Sequence, residues 1–584
     1  MKNSTPPFVA HSFRTTEGNK TGSWRFLRPR YDEKTAPCAA ACPAGEDIAR
    51  IEMLTSQGLF KEAWETILME NPLPAVCGRV CLRPCESRCN RREFDEAIAI
   101  RAIERFLADT ASRDELKPSL ERFASRKQRI AVVGAGPSGL AAAFFLSRLG
   151  YGCDLFESAP EPGGVLRYGI PSYRLPAAIL AAEIEQVAGS GFRLYCEKPV
   201  TKALFEQIGN DYDAVFLGCG RSRSVGLLIE GEEPGEVEDG FEFLRRINRG
   251  ESPAFSNAQV AIIGGGNTAV DAARTVLRLG GKPVLIYRRR REDMPAFEEE
   301  ISMALEEGVR LLELWTPLRM ERKEGRYLLT LQQMRAFDTA PGQKSRVEPA
   351  EPRSTMELSV IHILKAVGLE AAEEWQNPPE NSEKILRLSD SVLVRSPSIV
   401  IHGGDLASRI RSVSHAVASG KEAAIALDIL FQKGPDEVLP GLESCRVGNG
   451  PALSLEMYMR GPRCARNPHV VVFDEINRDH FQFAARLVQP RLLAEERSRG
   501  FAEIDLRISA GLAMKEAERC FNCGLCNQCD NCRLYCPDLA VVRQTDSSAR
   551  SIDYDYCKGC GICVVECPRN AMSLEKESAP RAQR

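Results

Sequence analysis

The distribution of cysteine constrains this chain more than any other feature of its sequence. Of 21 cysteines in 584 residues, six lie between Cys38 and Cys89 and ten lie between Cys520 and Cys567. A secreted disulfide scaffold spreads its cysteines through a short chain. This chain is long, and its polar N-terminus has no apolar signal segment, so we expect a cytoplasmic protein. Clustered thiols in such a reducing compartment indicate bound metal.

The C-terminal cysteines form two runs with the spacing C-x2-C-x2-C-x3-C-P, which end at Pro537 and Pro568. In this pattern three thiolates bind one [4Fe–4S] cluster and the fourth cysteine crosses to the other cluster. The first predicted ligand set is Cys526, Cys529, Cys532 and Cys567. The second predicted set is Cys557, Cys560, Cys563 and Cys536. A pair of zinc ribbons is the alternative, which three consecutive steps of this kind disfavour.

Cys520 and Cys523 continue the C-x2-C spacing upstream. Together with them the C-terminal segment contains ten cysteines, two more than the eight ligands that two clusters need. Either they are spare thiols or the register of the ligands is shifted by one step. The spacing alone leaves both alternatives open.

A glycine-rich turn follows the apolar segment RIAVV at residues 129–133, opens an Ala- and Phe-rich helix, and is followed by a second strand. Glycines at such a turn let backbone N–H groups approach a pyrophosphate, and an acid about 20 residues later suits a ribose. The complete unit predicts a dinucleotide site. Its predicted contacts are Gly134, Gly136, Pro137, Ser138, Gly139 and Glu157.

A second unit of this kind begins at Gln259, and the strand after its helix ends in arginines rather than in an acid. Arginines there bind the 2′-phosphate that an acid would repel, which favours NADP(H) and assigns the first unit to FAD. The alternative is a solvated basic face over Arg288–Arg291. The predicted contacts are Gly264, Gly266, Asn267, Thr268, Ala269, Arg288 and Arg289.

Charge and length exclude several other classes of protein. A net charge of −3 provides no basic surface for nucleic acid. The apolar stretch 130–150 begins with the glycine turn, so it suits a strand, a turn and a helix better than a membrane span. At roughly 100–200 residues per domain, the chain should contain three to five domains.

The two units, together with GGVLRYGIPSYRLP at 163–176, YRRRREDMPA at 287–296 and VIHGGDLASR at 400–409, resemble the small subunit of glutamate synthase and related NADPH-dependent FAD oxidoreductases. The resemblance implies an α/β core of two Rossmann-like domains, with an NADPH domain inserted into a flavin domain. It implies an all-α iron–sulfur domain before this core and a small α+β ferredoxin-like domain after it. It also implies flavin contacts at Gly164, Gly404 and Asp405, with Tyr168–Pro171 near the flavin ring.

The expected domain boundaries follow from this resemblance. An N-terminal iron–sulfur domain covers 1–118, and the flavin domain covers 119–245 and 363–435 on either side of an NADPH domain at 246–362. A connector at 436–515 leads to the ferredoxin-like domain at 516–584.

The N-terminal cysteines are similar to the two-cluster domain of glutamate synthase small subunits and dihydropyrimidine dehydrogenase. That resemblance assigns Cys42, Cys81, Cys85 and Glu104 to the cluster nearest the flavin. The family has two more cysteines ahead of the Cys38 position, where this chain reads DEKTA. One N-terminal cluster is therefore expected and a second stays open. Three further thiols would either complete it with an unrecognised ligand or remain free: Cys38, Cys77 and Cys89.

The order of the parts predicts an NAD(P)H:acceptor oxidoreductase, in which the cofactors carry the chemistry and no catalytic acid–base residue is needed. The expected acceptor is a ferredoxin or a partner oxidoreductase, in a homo- or hetero-oligomer, and the reverse direction is also open. The rival hypothesis is an electron-input subunit of a larger complex, such as glutamate synthase or a reductase like dissimilatory sulfite reductase. A thioredoxin-reductase function is disfavoured because Cys153, Cys196 and Cys219 are isolated from one another in sequence.

Overall fold

The computed structural model describes residues 18, 20–339, 344–380, 384–395, 398–544 and 549–577. Most of the stretch in which no signal segment was expected therefore lies outside the described residues. The N-terminal elements are β1 (Leu27–Tyr31), β2 (Lys34–Thr35), α1 (Pro37–Ala41), α2 (Ile48–Ser56), α3 (Phe60–Leu68), α4 (Pro74–Val80), α5 (Pro84–Ser87) and α6 (Ile100–Arg113).

Two strand–helix regions follow. The first contains β3 (Arg129–Val133), α7 (Pro137–Arg148), β4 (Gly152–Phe156), α8 (Val165–Tyr168), α9 (Ala177–Ala188), β5 (Arg193–Tyr195), α10 (Lys202–Asp211), β6 (Ala214–Leu217) and β7 (Arg223–Ser224). The second contains β8 (Val237–Asp239), α11 (Gly240–Asn248), β9 (Gln259–Ile263), α12 (Asn267–Arg278), β10 (Lys282–Tyr287), α13 (Glu298–Glu307), β11 (Arg310–Glu313), β12 (Trp315–Lys323), β13 (Arg326–Phe337), β14 (Arg346–Pro349), β15 (Thr355–Val360) and β16 (His362–Lys365).

The rest of the chain returns to the first region and then forms the C-terminal part. Its first elements are β17 (Leu369–Glu370), β18 (Ile385–Arg387), β19 (Val392–Val394), β20 (Val400–His402), α14 (Val413–Lys433), α15 (Val438–Glu443) and α16 (Leu455–Tyr458). Its last elements are β21 (Asn467–Val470), α17 (Ala494–Arg497), α18 (Ala510–Glu518), α19 (Asn531–Leu534), β22 (Val541–Arg543), β23 (Arg550–Ile552), α20 (Ile562–Val565) and β24 (Met572–Lys576).

Two sheets with parallel centres form the α/β core. The first has the strand order β18-β19-β20-β6-β3-β4-β5, so it joins strands from both sides of the second region. The second has the order β11-β10-β9-β16-β8 and consists only of strands from that region. The chain therefore builds one sheet, leaves it to build another, and returns to complete the first.

The second region extends beyond both ends of the predicted NADPH domain at 246–362. Strand β8 and strand β16 both belong to its sheet, because β16 pairs in parallel with β8 and β9. The boundary at 246 falls within α11 and the boundary at 362 falls on the first residue of β16, so both boundaries expected from the resemblance lie inside this region. Strands of three and four residues show no apolar period that could correct them. The region also carries an antiparallel sheet of β12, β13, β14 and β15 that the sequence analysis did not predict.

The N-terminal segment is not all-α as expected. Strand β1 pairs antiparallel with β24, so that Leu27 faces Lys576, and β2 pairs in parallel with β21. A single C-terminal strand leaves an open edge with unpaired backbone groups, and β1 supplies the missing partner. The two ends of the chain are therefore joined through a sheet.

Helix α7 lies at the centre of the core. All twelve of its residues are buried, and it packs against α14. One continuous cluster of buried apolar side chains extends from the N-terminal helices through the first sheet to Cys520–Leu525. No helix within the described ranges is long and apolar enough to cross a bilayer.

A buried ion pair attaches α14 to the N-terminal helices. Lys421 Nζ lies 2.6 Å from Glu70 Oε2, both side chains are 1% exposed, and the ammonium also donates to the carbonyl of Ala44. Replacing Lys421 with methionine should destabilise the protein by about 3–5 kcal/mol, because it leaves a buried carboxylate without this partner. The exposed Lys433 on the same helix provides the control, and Lys433→Met should change stability by less than about 0.5 kcal/mol. Denaturant midpoints measure both, and equal shifts would contradict the assignment.

Candidate cofactor sites

The first glycine turn is built so that a helix begins directly against a strand. Gly134 has φ +96°, and its N–H donates to Phe156 O at 2.8 Å. A Cβ on Gly139 would lie 1.8 Å from the carbonyl oxygen of Gly134, so only glycine lets α7 start this close to the turn. The turn therefore presents the N-terminus of α7 at the carboxyl edge of the sheet.

The other predicted flavin-binding glycines meet this turn. A Cβ on Gly164 would lie 2.9 Å from Gly136 Cα, and one on Gly404 would lie 2.6 Å from Ser138 Oγ. The backbone of Gly404 donates to Ser419 Oγ at 2.8 Å, which fixes this segment on α14. Segments separated by more than 200 residues in sequence are thus brought together at one helix N-terminus.

Two acids stand at this edge. Glu157 accepts hydrogen bonds from Ala135 N and Ala159 N, each at 2.8 Å, so its carboxylate stabilises the turn itself. Oε1 also accepts from Ser158 Oγ at 3.2 Å, whereas Oε2 keeps a second lone pair for a hydroxyl donor. Burial raises the pKa of Asp405, and the nearby Arg411 opposes that rise.

The second glycine turn repeats the arrangement. Gly264 donates from its N–H to Ile286 O at 3.0 Å, and a Cβ on it would lie 2.4 Å from Ala366 O. Asn267 Oδ1 accepts a hydrogen bond from Phe297 N at 3.1 Å, and Thr268 follows it in the first turn of α12. Ala269 is fully buried beneath the turn.

Both helix N-termini fit a pyrophosphate. A Cβ on Gly136 or on Gly266 would meet no atom within 4 Å, so open space lies in front of each helix. Pro137 is the first residue of α7, and neither helix receives a cap from the side chain of the preceding residue. Unpaired N–H groups at a helix start are suited to bind phosphate oxygens.

The arginines after β10 differ in their partners. Arg289 Nε donates to Ser345 O at 2.8 Å, Arg290 pairs with Asp338 at 2.7 Å, and Arg291 pairs with Glu298. Arg288 is exposed and has no hydrogen-bond or ion-pair partner within the described parts of the chain. It is therefore the arginine of this run that is most available to a phosphate.

The segment after Tyr168 joins the two strand–helix regions. Arg174 Nη1 contacts both carboxylate oxygens of Asp271 on α12, at 2.7 and 2.9 Å. The guanidinium carbon of Arg278 lies 3.9 Å from the centroid of the Tyr173 ring. A cavity of about 620 Å³ beside this contact is lined by residues of both regions, Tyr168 among them. Sequence reasoning missed the ion pair because its partners are distant in sequence.

The C-terminal cysteines line two separate cavities. One is lined by Cys526, Cys529, Cys532 and Cys567. The other is lined by Cys536, Cys557, Cys560 and Cys563. Each cavity thus combines three cysteines of one run with the fourth of the other. Backbone N–H groups point at two of these sulfurs, from Ala540 to Cys536 and from Ala571 to Cys567, both at 3.3 Å.

The N-terminal thiols surround a buried polar group. Asn71 Nδ2 donates to Glu104 Oε1 at 3.1 Å and to Glu46 Oε1 at 2.8 Å, and Cys77 Sγ lies 3.9 Å from Asn71 Oδ1. Burial raises the pKa of Cys42, and the neighbouring Glu46, Cys81 and Glu104 contribute to the shift. Cys85 is close to Cys42 and Cys81. Sequence reasoning missed Asn71, which positions Glu104.

These buried thiols suit iron, because metal binding stabilises thiolates that burial alone disfavours. Within the described ranges no group of three or more His, Cys, Asp or Glu side chains is arranged around a single metal ion. That result concerns single ions. The thiolates of a [4Fe–4S] cluster bind four different irons and stand farther apart than the ligands of one ion.

Family models match three parts of the chain. Residues 31–116 match dihydropyrimidine dehydrogenase domain II with its 4Fe-4S cluster, and residues 550–573 match a 4Fe-4S binding domain. Residues 128–420 match the pyridine nucleotide-disulphide oxidoreductase model. The chain belongs to this oxidoreductase family. The predicted oxidoreductase class, with a pyridine-nucleotide core and [4Fe–4S] segments on both sides, is confirmed.

Curated relatives of this oxidoreductase include the NADP(+)-dependent formate dehydrogenase subunit beta of Moorella thermoacetica, 32% identical over 84% of this chain and 70% of the relative. The NADPH-Fe(3+) oxidoreductase subunit beta of Geobacter sulfurreducens is 29% identical over 84% of this chain and 75% of its own length. The NAD-dependent dihydropyrimidine dehydrogenase subunit PreT of Escherichia coli is 32% identical over 67% of this chain and 90% of its own.

Proposed function

We propose that this oxidoreductase transfers electrons between NADPH, a bound FAD and [4Fe–4S] clusters, and that it serves as the electron-input subunit of a larger assembly. The observation that carries the proposal is the pair of C-terminal cavities, each lined by cysteines of both runs. Two C-terminal clusters have no role in the reaction of a disulfide reductase. They would instead extend a path for electrons from the flavin toward a partner protein.

The geometry supports the following assignments of residues to cofactors. FAD binds at the N-terminus of α7. Its contacts are Gly134, Gly136, Pro137, Ser138, Gly139, Glu157, Gly164, Gly404 and Asp405. NADPH binds at the N-terminus of α12, where Arg288 meets the 2′-phosphate. The cavities hold two clusters, and Cys42, Cys81, Cys85 and Glu104 hold a third near the flavin. The open space before each helix and the shared thiol environments support these assignments.

We also propose the finer architecture. The flavin domain consists of two pieces around the inserted NADPH domain, with an N-terminal iron–sulfur domain and a C-terminal ferredoxin-like domain. The strand order of the two sheets supports this division. The two groups of clustered cysteines, none of them in a disulfide, support a cytoplasmic location, because an oxidising compartment favours disulfides.

A flavin held at α7 would supply hydride chemistry toward the nicotinamide, and clusters held by the cysteines would supply single-electron transfer. The chain's own residues position these groups. Arg174 and Asp271 hold the segment after Tyr168 against α12. Burial raises the pKa of the Cys81 thiol, and the nearby Ser414 hydroxyl on α14 opposes that rise, so the helix after the second flavin segment reaches the N-terminal site.

The partner is a second protein subunit that accepts or supplies electrons. Two relatives carry the designation subunit beta, which supports assembly with another chain. A freely diffusing ferredoxin is the second candidate, favoured by the ferredoxin-like C-terminal part. Anaerobic affinity purification from the source cells distinguishes the two, because a subunit stays bound through gel filtration at a fixed ratio and a ferredoxin dissociates.

The nucleotide preference should depend on Arg288. We expect Arg288→Ala to raise the KM for NADPH about tenfold while leaving the KM for NADH unchanged, because it removes one charge-assisted phosphate contact. Lys282, exposed at the other end of β10, provides the matched control, and Lys282→Ala should alter neither constant. Steady-state reduction of a viologen dye measures both. Equal losses with the two nucleotides would remove Arg288 from the phosphate site.

The same dye assay tests the function itself. Under anaerobic conditions the purified chain should reduce viologen with NADPH. If NADPH leaves both the flavin and the dye oxidised, electron entry from NADPH is excluded.

A further inference from the structure

Cys520 and Cys523 do not belong to the ferredoxin-like part. Neither lines one of the two C-terminal cavities. Their exposed fractions are 8% and 7%, and they lie in the apolar core that contains the N-terminal helices and Cys38. These two cysteines are therefore part of the N-terminal iron–sulfur region.

Direct contacts join this pair to the second N-terminal cysteine run. Asn90, the residue after Cys89, donates from Nδ2 to Cys523 Sγ at 3.4 Å. The next residue, Arg91, donates from Nη1 to the carbonyl oxygen of Arg519 at 2.9 Å. Residues 89–91 thus lie alongside residues 519–523, more than 400 positions later in the chain.

The segment before Cys38 approaches the same pair from another direction. Lys34 N donates to Gly524 O at 2.9 Å, and Gly524 has φ +75° with no room for a Cβ against Lys34. Asn522 Nδ2 donates to Ala49 O at 2.9 Å on α2. The segment around Cys520 and Cys523 is therefore held against β2 and α2.

The four thiols share one buried environment. Burial raises the pKa of Cys38 well above its usual range, and the nearby Cys89, Cys520 and Cys523 raise it further. Cys89 and Cys523 likewise raise the pKa of Cys520. Each thiol is thus an electrostatic neighbour of the others, although they come from three separate segments.

Glu52 adds an independent observation. Its side chain is fully buried on α2, and neither carboxyl oxygen has a hydrogen-bond partner among the described residues. It is close enough to Cys38, Cys89 and Cys520 to shift the pKa of each. Glu52 is therefore a buried polar side chain without a protein partner in the part of the chain that the structure describes, and it lies beside three of these thiols.

We propose that a further [4Fe–4S] cluster is held between the two ends of the chain by four thiolates: Cys38, Cys89, Cys520 and Cys523. The C-terminal segment supplies the two ligands that DEKTA does not contain. One metal site therefore joins the N-terminal iron–sulfur region to the segment that precedes the ferredoxin-like part.

The position of this site favours a cluster over zinc. Cys85, at the flavin-side centre, is an electrostatic neighbour of Cys38. Arg569 is close to Cys520 and also to Cys529 of the first C-terminal cavity. The site thus stands between two predicted redox centres, where it receives one electron and passes one on. Zinc has no redox chemistry and would interrupt that path.

The redox role rests on the proposed function, whereas the metal site does not. The test is the iron and zinc content of the anaerobically purified full-length chain. The native protein should hold about 16 irons, at four per cluster for four clusters. The double variant Cys520→Ala/Cys523→Ala should hold about 12 and lose the corresponding part of the electron paramagnetic resonance signal of the dithionite-reduced protein. Cys464→Ala, an exposed free thiol, is the control and should keep the native content.

Three results overturn the proposal. They are a native content of about 12 irons, a double variant that keeps the native iron content, and one zinc per chain that disappears in the double variant. The native count decides the question even if the double variant does not fold. Flavin bleaching by NADPH in the same samples tests the proposed function separately, because the double variant retains both nucleotide sites.

Discussion

Replacing Gly136 with valine should remove the flavin from this oxidoreductase while leaving its fold intact. Gly136 has φ −76°, which any residue adopts, and a Cβ there meets no atom within 4 Å. The added side chain extends into the space where the N-terminus of α7 binds the pyrophosphate. We expect flavin affinity to fall at least about 100-fold, which corresponds to about 2.7 kcal/mol.

Flavin absorbance after gel filtration measures this loss, and circular dichroism with a denaturant midpoint shows whether the fold is retained. Gly152→Val is the matched control, because Gly152 on β4 is exposed and its Cβ also meets no atom within 4 Å. Valine suits a strand, so this variant should keep its flavin. A Gly136→Val protein with a full complement of flavin would move the flavin site away from this turn.

The corresponding substitution in the second turn should separate nucleotide binding from flavin binding. Gly266 has φ −88° and an equally open Cβ position at the start of α12. We expect Gly266→Val to purify with flavin bound, and NADPH to reduce that flavin at least about 100-fold more slowly at the same concentration, since the pyrophosphate of NADPH is displaced.

Stopped-flow absorbance under anaerobic conditions measures the rate, and dithionite should still bleach the flavin because it needs no nucleotide site. Gly226→Val is the control, since this glycine is exposed in the loop between the sheets and its Cβ is unobstructed. If Gly266→Val instead lost flavin and kept its reaction with NADPH, the assignment of the two turns would be reversed.

The sequence predicted the parts of the fold that depend on neighbouring residues. A strand, a glycine turn and a helix follow one another within about 30 residues, and the chemistry of the turn determines the local geometry. Strand β8 and most of β16 lie outside the NADPH domain expected from the resemblance, and strands of three or four residues show no apolar period that could have placed them. The pairing of β1 with β24 joins residues 27 and 576, and no local signal identifies such a partner.

In the candidate sites, too, the sequence predicted what depends on neighbouring residues and missed what depends on residues distant in the chain. Within the C-terminal runs the spacing alone indicates which cysteine crosses to the other cluster, and the two cavities group the thiols in that way. The assignment of ligands remains a prediction until the metal is measured. Cys520 and Cys523 could not be placed from spacing, because their neighbours Cys38 and Cys89 are more than 400 residues away. Arg174 and Asp271, which form the ion pair between the two regions, are likewise distant in sequence, at a separation of 97 residues.

One measurement tests the central claim most directly: an anaerobic titration of the purified full-length chain with NADPH, followed by absorbance and by electron paramagnetic resonance. Electron transfer from nucleotide through flavin to clusters predicts that flavin absorbance falls and that signals of reduced [4Fe–4S] clusters appear in the same sample. A flavin that stays oxidised, or a flavin that bleaches while every cluster that dithionite reduces stays oxidised, would contradict it.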